Sequence, residues 1–153
     1  MTNITSLDIR DAMAAMLATR YPAVDLNPAV VDFSRRSCLL DCYRVTMDRI
    51  TPEHYTCTAY LQVAVSVEQD AYGLSDTATL LDEQQAVIDL FRSGWIRVKD
   101  RAPRVEVHAG EIADEMALID FVVRYVVPVD LSAPTTDMIT DAIVSAEMDK
   151  EDA

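Results

Sequence analysis

Tyr55-Thr56-Cys57-Thr58-Ala59-Tyr60-Leu61-Gln62-Val63-Ala64-Val65-Ser66-Val67 places Tyr, Cys, Ala, Leu and three Val on one parity, with Thr, Thr, Tyr, Gln, Ala and Ser between them. Side chains along a strand alternate between two faces, so one face of this segment meets a core and the other meets solvent or a neighbour. One-sided patterning belongs to an antiparallel sheet; a strand buried on both faces reads as a continuous apolar run. Met116 to Val129 repeats the pattern, with Ile119, Phe121, Val123, Tyr125 and Val127 on one face and Asp120 and Arg124 on the other. The fold class that follows is α+β: a mainly antiparallel sheet built from two hairpins, packed by two main helices, with a short C-terminal helix.

Working outward, Ser37 to Met47 reads as the partner strand, with Cys38, Leu40 and Cys42 on one side and Leu39, Tyr43, Val45 and Met47 on the other. Asp48 to His54, containing Thr51-Pro52, reads as the turn of an extended hairpin that projects from the body. Upstream, a helix is expected from Ser6 to Arg20. Thr5 and Asp8 have capping-box spacing, and Ile9, Met13, Met16 and Leu17 make one apolar face. Pro22 to Phe33 reads as an irregular connector running along an edge, with at most a short strand at Ala29 to Phe33.

Downstream, a second helix from Asp76 to Arg92 presents Leu80, Leu81, Val87, Ile88 and Phe91, and Gly94 fits the glycine stop after it. Trp95 to Lys99 opens a further strand, interrupted by Arg101-Ala-Pro-Arg104. Val105 to His108 and Met116 to Val129 form a second hairpin across the acidic loop Gly110 to Glu115. Thr136 to Met148 reads as a short amphipathic helix with Ile139 and Ile143 on one side. The expected organisation is a single α+β domain over residues 1–130 and an acidic extension over 131–153.

The chain has 26 acids against 13 bases, a net charge of −13, and half of its 153 residues are apolar. Such a charge repels DNA, RNA and anionic membrane surfaces at long range, which argues against a nucleic-acid reader. The longest apolar runs are a few residues, far short of the ~20 that a membrane helix takes. The N-terminus lacks the basic start and apolar segment of a secretory signal, so the expectation is a chain that begins here and stays in the cytoplasm. Cys38, Cys42 and Cys57 are odd in number and are read as reduced, buried thiols. Cys57 faces Cys42 only if the hairpin register allows it.

No phosphate loop, nucleophile elbow or metal-ligand cluster is recognisable, so no catalytic, cofactor or metal residue is assigned. His54 and His108 lie in or beside turns and read as surface. Asp82-Glu83 and Asp114-Glu115 lack the ligand count of a calcium loop and read as a solvated helix end and a turn. Asp120 and Arg124 read as members of a cross-strand ion pair. The basic residues Arg97, Lys99, Arg101 and Arg104 form a cluster in an acidic chain, on alternate positions of the expected strand and its bend. They are candidate inter-subunit contacts, as are Ile139 and Ile143; the plainer reading is a charged edge strand protected from aggregation.

With the order helix, long hairpin, helix, hairpin in place, the chain resembles the tail terminator and tail completion proteins of tailed bacteriophages over Ser6 to Val129. The resemblance lies in the first helix ending in Arg20-Tyr21-Pro22, in Ser37-Cys-Leu-Leu40, in His54-Tyr-Thr-Cys-Thr-Ala-Tyr-Leu-Gln-Val63, and in Ala117-Leu-Ile-Asp-Phe-Val-Val-Arg-Tyr-Val-Val127. Ser37 stands where the related sequences commonly have proline, and the acidic tail after Val129 is extra. The resemblance implies a non-enzymatic virion protein of the tail, assembled in the host cytoplasm. It implies a hexameric ring that caps the tail tube, stops its growth and meets the head-tail connector or head completion protein, with DNA passing through the lumen unbound. An acidic inhibitor that mimics nucleic acid is the rival from the same charge, and a small oligomeric adaptor is another.

Overall fold

A computed structural model of the chain describes residues 3–113 and 115–129. The expected α+β architecture is present, with one four-stranded antiparallel sheet and two α-helices among the described residues. The elements are α1 (Ser6–Leu17), β1 (Ser37–Thr51), β2 (His54–Ser66), α2 (Thr77–Leu90), β3 (Arg104–Ala113) and β4 (Met116–Pro128), and the sheet order is β1-β2-β4-β3. The C-terminal helix expected over Thr136 to Met148, with Ile139 and Ile143, lies outside the described residues.

Alternation decides which face is buried. Leu61 pairs with Phe121 and Val63 with Ile119, and Phe121 pairs in turn with Val107, so the apolar parity of each strand falls on one side of the sheet. Both helices lie on that side. Ile9, Met13 and Leu17 of α1, Leu80 and Val87 of α2 and Phe91 at its C-cap close over it, and Phe91 meets Phe121 edge-on at 4.8 Å. The Thr5/Asp8 capping box forms as the spacing predicts. Leu81, expected to face inward, is exposed, and Gln84 takes the buried position instead. Its amide donates to the carbonyls of Gly110 and Leu118, which ties α2 to the β3–β4 hairpin.

The connector is irregular and runs along an edge as expected, with a 3-10 turn at Pro28–Val30 and a parallel bridge from Asp25 to Leu39 at the outer edge of β1. Three other expectations are corrected. β1 continues through the expected turn to Thr51, leaving Pro52-Glu53 as a two-residue link to His54. Extended backbone at Thr51 is what a following proline enforces. Trp95 to Lys99 makes only isolated bridges, Trp95 with Arg104 and Val98 with Arg101. Gly110 to Ala113 is strand, not loop, because a bulge between Ala109 and Ile112 absorbs the irregularity. A Cβ on Gly110 would lie 2.8 Å from the Leu118 oxygen, so only glycine lets the strands close there.

The three thiols are free. Cys42 pairs with Leu61 and Cys57 with Met47, so the register keeps them apart. Burial pushes the Cys38 thiol up to about 12 and raises Cys42 and Cys57 as well, which leaves them protonated and inert at neutral pH.

Candidate subunit interface

The basic cluster is built on the exit from α2. Gly94, at φ 80°, reverses the chain after Phe91, and its carbonyl accepts the Val105 amide. Ile96 and Val98 then point into the core while Trp95, Arg97 and Lys99 point out. Val98 and Arg101 exchange both backbone hydrogen bonds, at 2.9 and 3.0 Å, closing a tight turn with Lys99 in the left-handed region at φ 56°.

This geometry divides the four candidate cations into two pairs. The Lys99 ammonium reaches Asp8 at 3.3 Å and the Asn3 carbonyl at 3.3 Å, so it is spent on the start of α1. The Thr5 amide, with a smaller contribution from Lys99, holds the Asp8 carboxyl below the usual carboxylate range. The Arg101 guanidinium donates to the Val126 carbonyl at 2.7 Å, capping β4 beyond the end of β3. Both therefore have partners within the subunit itself. Arg97 and Arg104 are exposed, and neither side chain has a partner among the described residues.

The structure adds two residues to that free pair. Arg104 sits directly across from Arg124, a like-charge pairing that Glu106 offsets by accepting from Arg124 at 2.5 Å. Trp95, 47% exposed, stands beside them and lines a groove with Gly94, Arg104, Val105 and Arg124. On its other side Trp95 and Arg97 border an apolar groove against Ala12, Ala15 and Met16 of α1. An exposed tryptophan among arginines is the composition of a protein-docking hot spot. Of Asp120 and Arg124, only Arg124 has the expected cross-strand ion pair, with Glu106; Asp120 instead accepts from the neutral Gln62 amide.

The opposite edge of the sheet has another character. Beyond Cys42 the helices no longer cover β1, and Tyr43, Val45, Met47 and Ile50 are exposed together with the acids Asp41 and Asp48. Val129 donates to the Glu53 carbonyl at 2.7 Å, so β4 accompanies the hairpin to its tip.

Glu83 is the polar node that the sequence did not disclose. Arg20 grips it through two nitrogens, at 2.9 and 3.3 Å, the Tyr21 hydroxyl donates at 2.7 Å, and Arg36 lies 3.7 Å away. Burial opposes its charge, but Tyr21 and Arg20 outweigh that and hold the carboxyl below its usual range. The cluster pins the end of α1 to α2, a structural task. Among the described residues no group of acids, histidines and cysteines is arranged to hold a metal, and no helix is long and apolar enough to cross a membrane. The chain matches no protein-family model and no curated relative.

Proposed function

We propose that this chain is a non-catalytic assembly subunit that closes edge to edge into a homo-oligomeric ring of the tail-terminator kind. The observation that carries the reading is the pairing of its two sheet edges. One bears Trp95, Arg97 and Arg104; the other bears the uncovered arm of β1 with Asp41 and Asp48. The strands alternate in direction, so copies set side by side in one orientation bring β1 of one antiparallel to the β3 side of the next. Their heights also agree: Arg104, Arg124, Thr58 and Thr46 lie in one row across the sheet, which puts Arg104 level with the arm beside Asp48. A contact between two different patches closes into a ring when its rotation closes.

On this reading the ring is a hexamer at the head-proximal end of the tail tube in the virion. It meets the tube protein on one face and the head-tail connector or head completion protein on the other. The acidic surplus lets DNA pass through the lumen without adhering. Electron microscopy and sedimentation of the purified chain test it. Rings are expected, with the Arg97→Glu/Arg104→Glu variant losing them while melting as the parent does. A wild-type chain that stays monomeric at high concentration and in assembled particles overturns the reading. Saturable binding to a basic groove in place of rings would favour the nucleic-acid mimic.

A further inference from the structure

Among the described residues, the outer edge of β1 is protected along only part of its length. Asp25 exchanges hydrogen bonds with it at the body end, donating to the Cys38 carbonyl and accepting from the Leu40 amide, both at 2.9 Å. Cys38 and Leu40 therefore turn their backbone groups outward and Leu39 turns its own toward β2. Carried through the unbroken β2–β4 register, this alternation puts the backbone groups of Val45 and Met47 on the outer edge. The Val126 carbonyl, taken by Arg101 on the far side of the sheet, has the parity the same count requires. No backbone partner meets the Val45 and Met47 edge among the described residues. Their side chains, 43% and 58% exposed, lie on the helix-bearing face of the sheet but beyond the helices.

Irregularities in pairing fall between Cys42 and Arg44 and between Arg49 and Thr51, so Arg44 to Arg49 is a regular strand segment bounded by bulges. Proteins usually keep such edges short, charged or covered. This one carries opposite charges at Arg44 and Asp48, placed symmetrically about Thr46. Turned through a two-fold axis at Thr46, the segment meets its own copy with Arg44 opposite Asp48 and Asp48 opposite Arg44, while Val45 faces Met47 on the apolar side. Val45 and Met47 are also the residues whose backbone groups point outward, so each such pair exchanges both hydrogen bonds. Arg44 is already held over the Tyr60 ring at 5.3 Å, and Asp48 has no side-chain partner among the described residues.

We infer that two copies of this chain pair antiparallel through Arg44 to Asp48 of β1, two-fold about Thr46, to form an eight-stranded sheet across both subunits. The inference does not depend on the ring. Where the ring forms, the two contacts compete for the arm, so the pair is a soluble form that must part before its subunits join a ring.

The test is sedimentation equilibrium of the full chain carrying Arg97→Glu/Arg104→Glu, which silences the proposed ring contact and leaves β1 intact. A dimer is expected. Adding Arg44→Asp or Asp48→Arg alone should weaken it at least tenfold, and both together should restore it to within about threefold, because the swap recreates both ion pairs. Met47→Pro should abolish it with melting unchanged, since that amide serves no bond to β2. In the same background Thr46→Cys should form an intermolecular disulfide on mild oxidation, because directly opposed non-hydrogen-bonded residues lie ~4.5 Å apart, within disulfide range. Asp41→Cys should not. A monomer at millimolar concentration, a double swap no better than either single change, or equal cross-linking at both cysteines overturns the inference. A dimer indifferent to Met47→Pro does so too, since it would use another surface.

Discussion

The two halves of β1 share a strand, a hairpin and a similar apolar content, yet they live in different solvents. Cys38 and Leu40 are fully buried under the helices, and Asp25 seals the edge beside them; Val45 and Met47 continue the same face with nothing over them among the described residues. Alternation sorts side chains between faces, but only a covering element makes a face into a core. Here the covering runs out after Cys42 while the hydrogen-bonded ladder continues to Thr51. The body is held by packing, and the arm by its ladder and whatever meets it.

The sharpest way to break this contrast is to remove an apolar side chain from each region. Phe121→Ala, at a fully buried site edge-on to Phe91, should cost about 3–5 kcal/mol in urea denaturation. Met47→Ala should stay within about 0.5 kcal/mol under dilute conditions. An equal loss at both would mean that the arm is covered.

The polar node behind the body gives the next effect. Glu83→Gln should cost about 2 kcal/mol at neutral pH, because Arg20 and Arg36 lose their counter-charge. The folded carboxyl titrates below its ordinary value of 4.5, so its contribution is complete above that pH and is lost as pH falls through the folded value. The stability gap between the two proteins should therefore close in acid. A gap unchanged from pH 7 to pH 3 would show that charge is not what the cluster uses.

A smaller effect separates the two kinds of basic residue. Arg101→Ala should lower stability by about 1 kcal/mol, because the Val126 carbonyl loses its donor, and leave self-association alone. Arg97→Glu should do the reverse. If Arg101→Ala instead dissolves an assembly at unchanged melting temperature, the division of the cluster is wrong.

The sequence disclosed what is local. The capping box at Thr5 and Asp8, the glycine stop at Gly94 and the buried parity of β2 and β4 all rest on spacing within one element. It concealed what depends on distant partners. Glu83 read as solvated because Arg20, Tyr21 and Arg36 are remote in sequence, and Gln84 is absent from the expected inward stripe because its acceptors belong to the second hairpin. Trp95 to Lys99 alternates like a strand, but its neighbour is its own tight turn, not a ladder. In the proposed interface, Arg97 and Arg104 were legible by composition. Trp95 and Arg124 emerged only once β3 set Arg104 against Arg124.

The strand order also has a consequence for biogenesis. β1 and β2 find one another through a two-residue link, as β3 and β4 do locally, but the seam between β2 and β4 joins segments separated by the whole of α2 and β3. Closing a long loop precedes any reward from that seam, which makes it the slow step of folding. On the ribosome the first hairpin therefore emerges with the inner edge of β2 bare until the last strand arrives. During that interval the nascent chain, not the finished subunit, is most prone to aggregate.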